Sequence, residues 1–81
     1  MPVYFFHIRN NVSLLEDEEG TDLPDLEAAK SQALRSARDT LCQELRAGYL
    51  DLRFRIEVED ANKQVVHILK LADAFKIIPE D

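Results

Sequence analysis

The chain has 81 residues, of which 46% are apolar and 32% charged, and this balance predicts one globular domain over residues 1–81 and excludes a disordered chain. Its net charge of −6 disfavours nucleic acid as a partner, because affinity for phosphate backbones rests on Lys and Arg. One cysteine excludes an intramolecular disulfide, and no run approaches the ~20 apolar residues of a membrane span, so we expect a cytoplasmic protein without a membrane segment.

The first predicted element is a strand over residues 3–9, where aromatic and β-branched side chains are concentrated. Alternation places Tyr4, Phe6 and Ile8 on one face and Val3, Phe5 and His7 on the other. Because both faces are largely apolar, we expect this strand at the centre of the sheet. Asn10 and Asn11 predict a two-residue turn with positive φ, after which residues 12–17 return as a second strand.

The segment from Glu16 to Asp22 is the most acidic part of the chain. A calcium-binding loop of the EF-hand type that began at Asp17 would need glycine at its sixth position and glutamate at its twelfth, where this chain has Asp22 and Ala28. Consecutive exposed acids also lack the burial that separates the pKa values of an acid and a base. We therefore interpret the segment as a solvated acidic turn.

A long amphipathic helix is predicted from about Asp25 to Ala47. Asp25 can accept hydrogen bonds from the first turn, and Gly48 can adopt the left-handed conformation that commonly ends a helix. An apolar stripe of period 3.6 comprises Leu26, Ala33, Leu34, Ala37, Leu41 and Leu45. We expect this stripe to face the sheet. Cys42 lies near the polar side, at the end of the helix dipole that does not favour a thiolate, so we do not expect a catalytic thiol.

The C-terminal part predicts a second hairpin. Residues 52–59 alternate between apolar and charged side chains and form the third strand, residues 60–63 form a turn, and residues 64–69 form the fourth strand. Residues 71–78 predict a short helix or a turn. The fold class is therefore α+β in the order β-β-α-β-β, with one long helix on one face of a small, mainly antiparallel sheet.

Neither histidine belongs to a recognisable catalytic or metal-binding motif. His7, Cys42 and His67 are far apart in the sequence and include no close pair of the kind that zinc sites use. No serine or cysteine has the surroundings of a nucleophile. We predict no metal, no cofactor and no catalytic residue.

The candidate interaction surface is the sheet face that a single helix leaves uncovered. Arg53 and Arg55 project there from the third strand, and Phe5, His7 and either Val65 or His67 are expected beside them. Arginine and aromatic residues are enriched in protein interfaces. The alternative interpretation is a solvated face with scattered apolar groups.

Four motifs together resemble a family of short alphaproteobacterial proteins with a domain of unknown function. They are PxYFFH at residues 2–7, DEEG at 17–20 with LPDLEAA at 23–29, ALxSAR at 33–38 and RIEVxD at 55–60, where x marks a position outside the motif. The resemblance covers nearly the whole chain and implies a small α+β domain, without any catalytic residue. The chain departs from the family at Asn62 and Lys63, where a glycine is usual, and at Lys70 and Leu71, where proline and phenylalanine usually follow the last strand.

Three classes of function remain open. We favour a non-enzymatic domain that uses the uncovered sheet face or an edge strand to form a homodimer or to bind another protein. One alternative is a small ligand-binding protein or enzyme that uses His7, His67 and the acidic segment. A more specific variant of the first class is an antitoxin-like regulator, because a small sheet with one helix and a Pro-Asp-Leu stretch loosely resembles the HicB antitoxins. The third class is nucleic-acid binding through Arg53 and Arg55, which the acidic net charge disfavours.

Overall fold

A computed structural model describes residues 2–80, in which one helix packs against one face of a small antiparallel sheet. The strands are β1 (Val3–Arg9), β2 (Leu14–Leu15), β3 (Thr21–Asp22), β4 (Arg55–Glu59) and β5 (Val65–Lys70), and the helix is α1 (Leu26–Ala47). One 3-10 turn, Leu71–Asp73, follows β5. The predicted α+β class, with strands on both sides of one helix in the sequence, is confirmed.

β1 is the central strand, as its two apolar faces predict. It pairs with β4 along one edge, while its other edge pairs with β3 near the start of the strand and with β2 near its end. β4 pairs in turn with β5, which gives the order β2-β1-β4-β5. In the described part of the chain β5 pairs with β4 alone, so one edge of the sheet is open.

The chain between β1 and α1 differs from the predicted single strand over residues 12–17. Two short strands, β2 and β3, take the place of this single strand, and each is two residues long. β3 lies within the acidic segment. The side-chain Oδ1 of Asn10 accepts hydrogen bonds from the backbone N–H groups of Val12 and Ser13, at 2.8 and 2.7 Å. These bonds hold a longer turn than we predicted, and neither Asn10 nor Asn11 has positive φ.

Both predicted ends of the helix are confirmed. The Asp25 side chain accepts a hydrogen bond from the N–H of Ala28 at 2.9 Å, and Gly48 has a φ of 94°. Three fully buried alanines, Ala29, Ala33 and Ala37, allow the helix to lie close to the sheet. Leu45, which the stripe predicts to face the sheet, is 60% exposed. A helix of 22 residues is about 33 Å long and outruns strands of five to seven residues.

The second hairpin is confirmed with shifted boundaries. β4 begins at Arg55, three residues later than predicted, because the preceding residues form a separate turn. The carboxylate of Asp60 holds the hairpin turn by accepting hydrogen bonds from the N–H groups of Asn62 and Gln64, at 2.9 and 3.0 Å. Lys63 in this turn has a φ of 63°. Within residues 71–80 the 3-10 turn is the one regular element, and a helix over 71–78 is not present.

The core lies between α1 and the inner face of the sheet. Its largest fully buried side chains are Ile56 and Val58 from β4 and Leu71 from the 3-10 turn. The residues predicted on the inner face of β1 take part, since Tyr4 is buried and Phe6 and Ile8 pack against the core. The opposite face of the sheet, which we call the outer face, has no helix against it within residues 2–80.

Candidate functional site

The strand register arranges the outer face in three rows that cross β1, β4 and β5. The rows are Phe5–Glu59–Val65, His7–Glu57–Ile68 and Arg9–Arg55–Lys70. Directly opposite residues on antiparallel strands share a face and interact. One end of the outer face is therefore cationic, and the other end carries an acid between apolar side chains.

At the cationic end, Glu57 joins two arginines that would otherwise repel each other. Arg9 and Arg55 lie directly opposite on β1 and β4. One carboxylate oxygen of Glu57 lies 3.5 Å from Nη1 of Arg9, and the other accepts a 2.9 Å hydrogen bond from Nε of Arg55. Because like charges placed directly opposite destabilise a sheet, Glu57 stabilises this row. Lys70 adds a third cation, so the row keeps a positive charge.

His7 lies at the middle of the outer face and is buried, with only 8% of its surface exposed. Its Nδ1 accepts a hydrogen bond from the backbone N–H of Asp17 at 3.1 Å, which assigns the proton of the neutral ring to Nε2. Nε2 lies 3.5 Å from a carboxylate oxygen of Glu59, and the ring of Phe5 lies parallel to the imidazole with centroids 6.4 Å apart. His7 is thus held on three sides by protein groups.

The acidic segment has a structural role that a solvated turn would not have. The Asp17 carboxylate accepts backbone hydrogen bonds from Phe6 at 3.0 Å, Gly20 at 3.1 Å and Glu19 at 3.2 Å. Burial raises the pKa of Asp17, but these three backbone hydrogen bonds outweigh it, so the pKa lies below its ordinary value. The interpretation as a solvated acidic turn is therefore wrong for Asp17, whereas Glu16, Glu18, Glu19 and Asp22 are exposed as it expects.

Gly20 allows this segment to lie directly on β1. Its φ is 74°, and a Cβ atom at this position would lie 2.6 Å from a methyl carbon of Val3 and 2.8 Å from the ring of Phe5. A Cβ atom here would therefore force the Val3 and Phe5 side chains to shift, and the left-handed φ also favours glycine. The hydrogen bonds of Asp17 and the close approach of Gly20 to β1 together hold the segment between β2 and β3 against the central strand.

The structure brings together only part of the predicted site. Phe5, His7 and Arg55 share the outer face, but His67 lies opposite Val58 in the register and hence on the side that the helix covers. The two histidines therefore lie on opposite faces of the sheet. This separation contradicts a shared chemical site for His7 and His67. The residues 2–80 also contain no group of three His, Cys, Asp or Glu side chains able to hold a metal ion.

Arg53 is absent from the outer face because β4 starts after it. Its Nε and Nη2 donate hydrogen bonds of 2.9 and 2.8 Å to the two carboxylate oxygens of Asp51, and its side chain is 81% exposed. The hydrogen bonds from Arg53 lower the pKa of the Asp51 carboxyl to about 2. The expectation that Arg53 lies beside Phe5 and His7 is therefore wrong. The ion pair with Asp51 holds Arg53 in a turn that precedes β4.

Cavities adjoin these elements at several places, and two of them bear on function. A depression of about 310 Å³ lies beside Phe5 and His7 and is bordered by Glu18, Glu59 and Lys63. A larger apolar groove of about 550 Å³ lies between the last turns of α1 and the C-terminal tail. Sequence reasoning missed this groove, although apolar residues outside the predicted strands, at Leu50 and Ile77, are a signal for it.

A family model described as a domain of unknown function, DUF6894, matches residues 3–72. No curated protein sequence and no solved structure matches the chain. In the described part of the chain, no helix combines the length and the apolar character needed to cross a membrane.

Proposed function

The chain belongs to the DUF6894 family, and we propose that it is a non-enzymatic interaction domain that forms a homodimer through the open edge of β5 and the adjoining outer face. The observation that carries this proposal is the unpaired edge of β5. We place the protein in the cytoplasm as part of the same proposal, because a single cysteine provides no disulfide framework of the kind that small secreted domains use.

β5 has the features of a strand that accepts a neighbour. It is six residues long, and Val65 and Ile68 on its outer face are 49% and 52% exposed. A free edge presents unpaired N–H and C=O groups, which proteins ordinarily protect with charge, proline or a covering element. Here the protection is slight, because the one lysine of the strand is its last residue, Lys70. An added strand would satisfy the backbone groups and cover both apolar side chains.

Charge favours a second copy of the chain in antiparallel orientation. β5 is flanked at its end by Arg55 and at its start by Glu59, which lie opposite Lys70 and Val65 in the register. Two-fold antiparallel pairing places the Lys70 end of one copy beside the Glu59 end of the other. Each Lys70 then lies near the start of the partner's β5, with Glu59 on the next strand inward as the nearest acid in the register, whereas parallel pairing would place Lys70 beside Lys70. The second copy therefore fits this edge in one orientation.

Sedimentation equilibrium of the full chain tests the proposal. Pairing of one strand buries less than a standard interface of about 800 Å² per partner, so we expect a dimer with a dissociation constant in the micromolar range. Ile68→Lys should weaken dimerisation at least about tenfold, because a lysine on an edge strand opposes pairing. Circular dichroism should show a folded variant, since Ile68 lies outside the core.

Val12→Lys is the matched control, because Val12 is 95% exposed at the other side of the sheet and receives the same change of charge. This variant should form the dimer as the natural chain does. A natural chain that stays monomeric up to millimolar concentration would refute the proposal. Equal loss of dimer in both variants would also refute it, since the effect would then follow charge and not position.

A further inference from the structure

We propose that the apolar groove between α1 and the C-terminal tail binds a single hydrocarbon chain with an anionic head group, and that Arg38 binds the head group. This site lies away from β5 and does not depend on the proposed dimer. Its volume of about 550 Å³ falls in the range of small-molecule pockets, which extends from about 300 to 1,000 Å³.

The walls of the groove select an apolar ligand. Leu41 and Leu45 line it from the helix, Leu50 from the segment after the helix, and Phe75 and Ile77 from the tail. The groove exists because α1 extends past the sheet, so that its last two turns have the tail beside them instead of strands. Leu45 and Ile77 are 60% and 70% exposed at its rim. A hydrocarbon chain in the groove would remove this surface from water.

Arg38 gives the groove its one charged wall and its preference for an anion. Its Nε donates a 2.9 Å hydrogen bond to the backbone carbonyl of Ala74, which fixes the guanidinium where the tail meets the helix. No carboxylate lies within ion-pair distance of Arg38 among residues 2–80, although the chain has 16 acidic residues. Within these residues the terminal nitrogens of Arg38 have no ion-pair partner, and a guanidinium is suited to bind a carboxylate or a phosphate.

A polar depression continues the site beyond Arg38. It has a volume of about 370 Å³ and is lined by Arg38 with Ser31, Leu34, Arg35 and Asp39. The apolar groove and this depression share Arg38. The hydrocarbon chain of a ligand would therefore lie in the groove, and its hydrated head group would lie in the depression. Two arginines against one aspartate leave this end positive within an acidic protein. The arrangement fits an amphiphilic anion better than a neutral lipid.

Decanoate and decanol are suitable probes, because they share the apolar chain and differ in the charge of the head. Titration calorimetry below the micellar concentration should show one decanoate per chain. Cys42 lines the groove and is exposed, so free decanoate at about ten times its dissociation constant should slow the alkylation of Cys42 by iodoacetamide about tenfold. Arg38→Gln should weaken decanoate binding at least about fivefold and change decanol binding less than about twofold.

Arg35→Gln is the control for charge, since Arg35 borders the depression but not the groove, and it should weaken decanoate less than Arg38→Gln. Ile68→Lys should leave decanoate binding unchanged, which separates this site from the proposed dimer. Absence of binding and of protection at Cys42 would refute the site. Equal binding of decanoate and decanol, or equal loss of both in Arg38→Gln, would refute the role of Arg38. Protection of Cys42 that rises with protein concentration alone would assign the groove to a second copy.

Discussion

At the scale of single residues, Asp17 links the acidic segment to the central strand. Its two carboxylate oxygens are used differently, because Oδ2 accepts from Phe6 on β1 whereas Oδ1 accepts from Glu19 and Gly20 within the segment. An asparagine keeps one oxygen and places an N–H₂ group where the other stood. One of the two sets of bonds is then lost, since two donors would face each other.

Asp17→Asn should therefore lower the free energy of unfolding at pH 7 by about 1–3 kcal/mol, the usual effect of removing a hydrogen bond to a charged group. The pKa of Asp17 is lower in the folded chain than its ordinary value of 3.8. The stabilisation is thus complete above the unfolded pKa and is lost as the pH falls through the lower folded pKa. Urea unfolding from pH 7 to pH 2 measures this difference, which should be constant above about pH 5 and shrink below pH 3.8.

Glu18→Gln is the control for Asp17→Asn, because Glu18 is adjacent, acidic and exposed. Its unfolding free energy should follow that of the natural chain at every pH. If Asp17→Asn also followed the natural chain, the bonds to β1 would contribute nothing measurable.

At the scale of elements, the sequence predicts what local rules determine. The helix has a cap at each end and a stripe of period 3.6, and both of its ends are where these signals place them. The two-residue strands β2 and β3 have no such signal, because they exist only through pairing with β1. Arg53 and Arg55 look equivalent in an alternating pattern, yet Asp51 binds Arg53 locally and the strand begins only at Arg55.

The candidate site likewise has a part that local sequence signals predict and a part that depends on contacts distant in sequence. Alternation along β1 correctly places Phe5 and His7 together on the face opposite the core. The position of His67 depends instead on the irregular register between Val58 and Glu59, where one extra residue of β5 shifts the following side chains to the other face. Asp17 belongs to the site because its carboxylate accepts a hydrogen bond from the N–H of Phe6, eleven residues earlier in the sequence. Composition cannot reveal a contact of this kind.

The second hairpin contains a strained position that can be tested. Lys63 follows a turn closed by a 3.0 Å bond from its own N–H to the carbonyl of Asp60, and its φ of 63° is left-handed. This conformation costs a residue with a Cβ atom about 1–2 kcal/mol. Lys63→Gly removes that cost but gives the unfolded chain more freedom, which costs about 0.4–1 kcal/mol.

We expect Lys63→Gly to raise the free energy of unfolding by about 0.5–1 kcal/mol, or to raise the melting temperature by roughly 3–6 °C in a domain of this size. Thermal unfolding followed by circular dichroism measures this shift. Ala61→Gly is the matched control in the same turn, since Ala61 does not have positive φ, and it should lower the melting temperature. A decrease in both variants would show that the left-handed conformation of Lys63 costs little.

At the scale of the whole molecule, net charge and local charge act in opposite directions on the proposed dimer. Each copy carries a charge of −6, while antiparallel pairing along β5 places Lys70 of one copy toward the end of the sheet where Glu59 of the other lies on the next strand. The dimensions of 46 × 27 × 18 Å place the centres of two paired copies roughly 30 Å apart. Repulsion between the net charges at that distance is about 2 kcal/mol at 10 mM salt and about 0.1 kcal/mol at 150 mM. Exposed ion pairs each contribute at most about 1 kcal/mol and lose only part of it to screening.

The loss of repulsion is therefore the larger effect, and added salt should strengthen the dimer. We expect the dissociation constant from sedimentation equilibrium to fall about five- to tenfold between 10 and 150 mM sodium chloride at pH 7. Lys70→Gln removes the cation at the strand end without adding bulk. Salt should lower the dissociation constant of this variant more than that of the natural chain, because the variant has less local attraction for salt to screen. A dimer that weakens steadily with salt in the natural chain would show that contacts at the edge of β5 outweigh the charge of the whole protein.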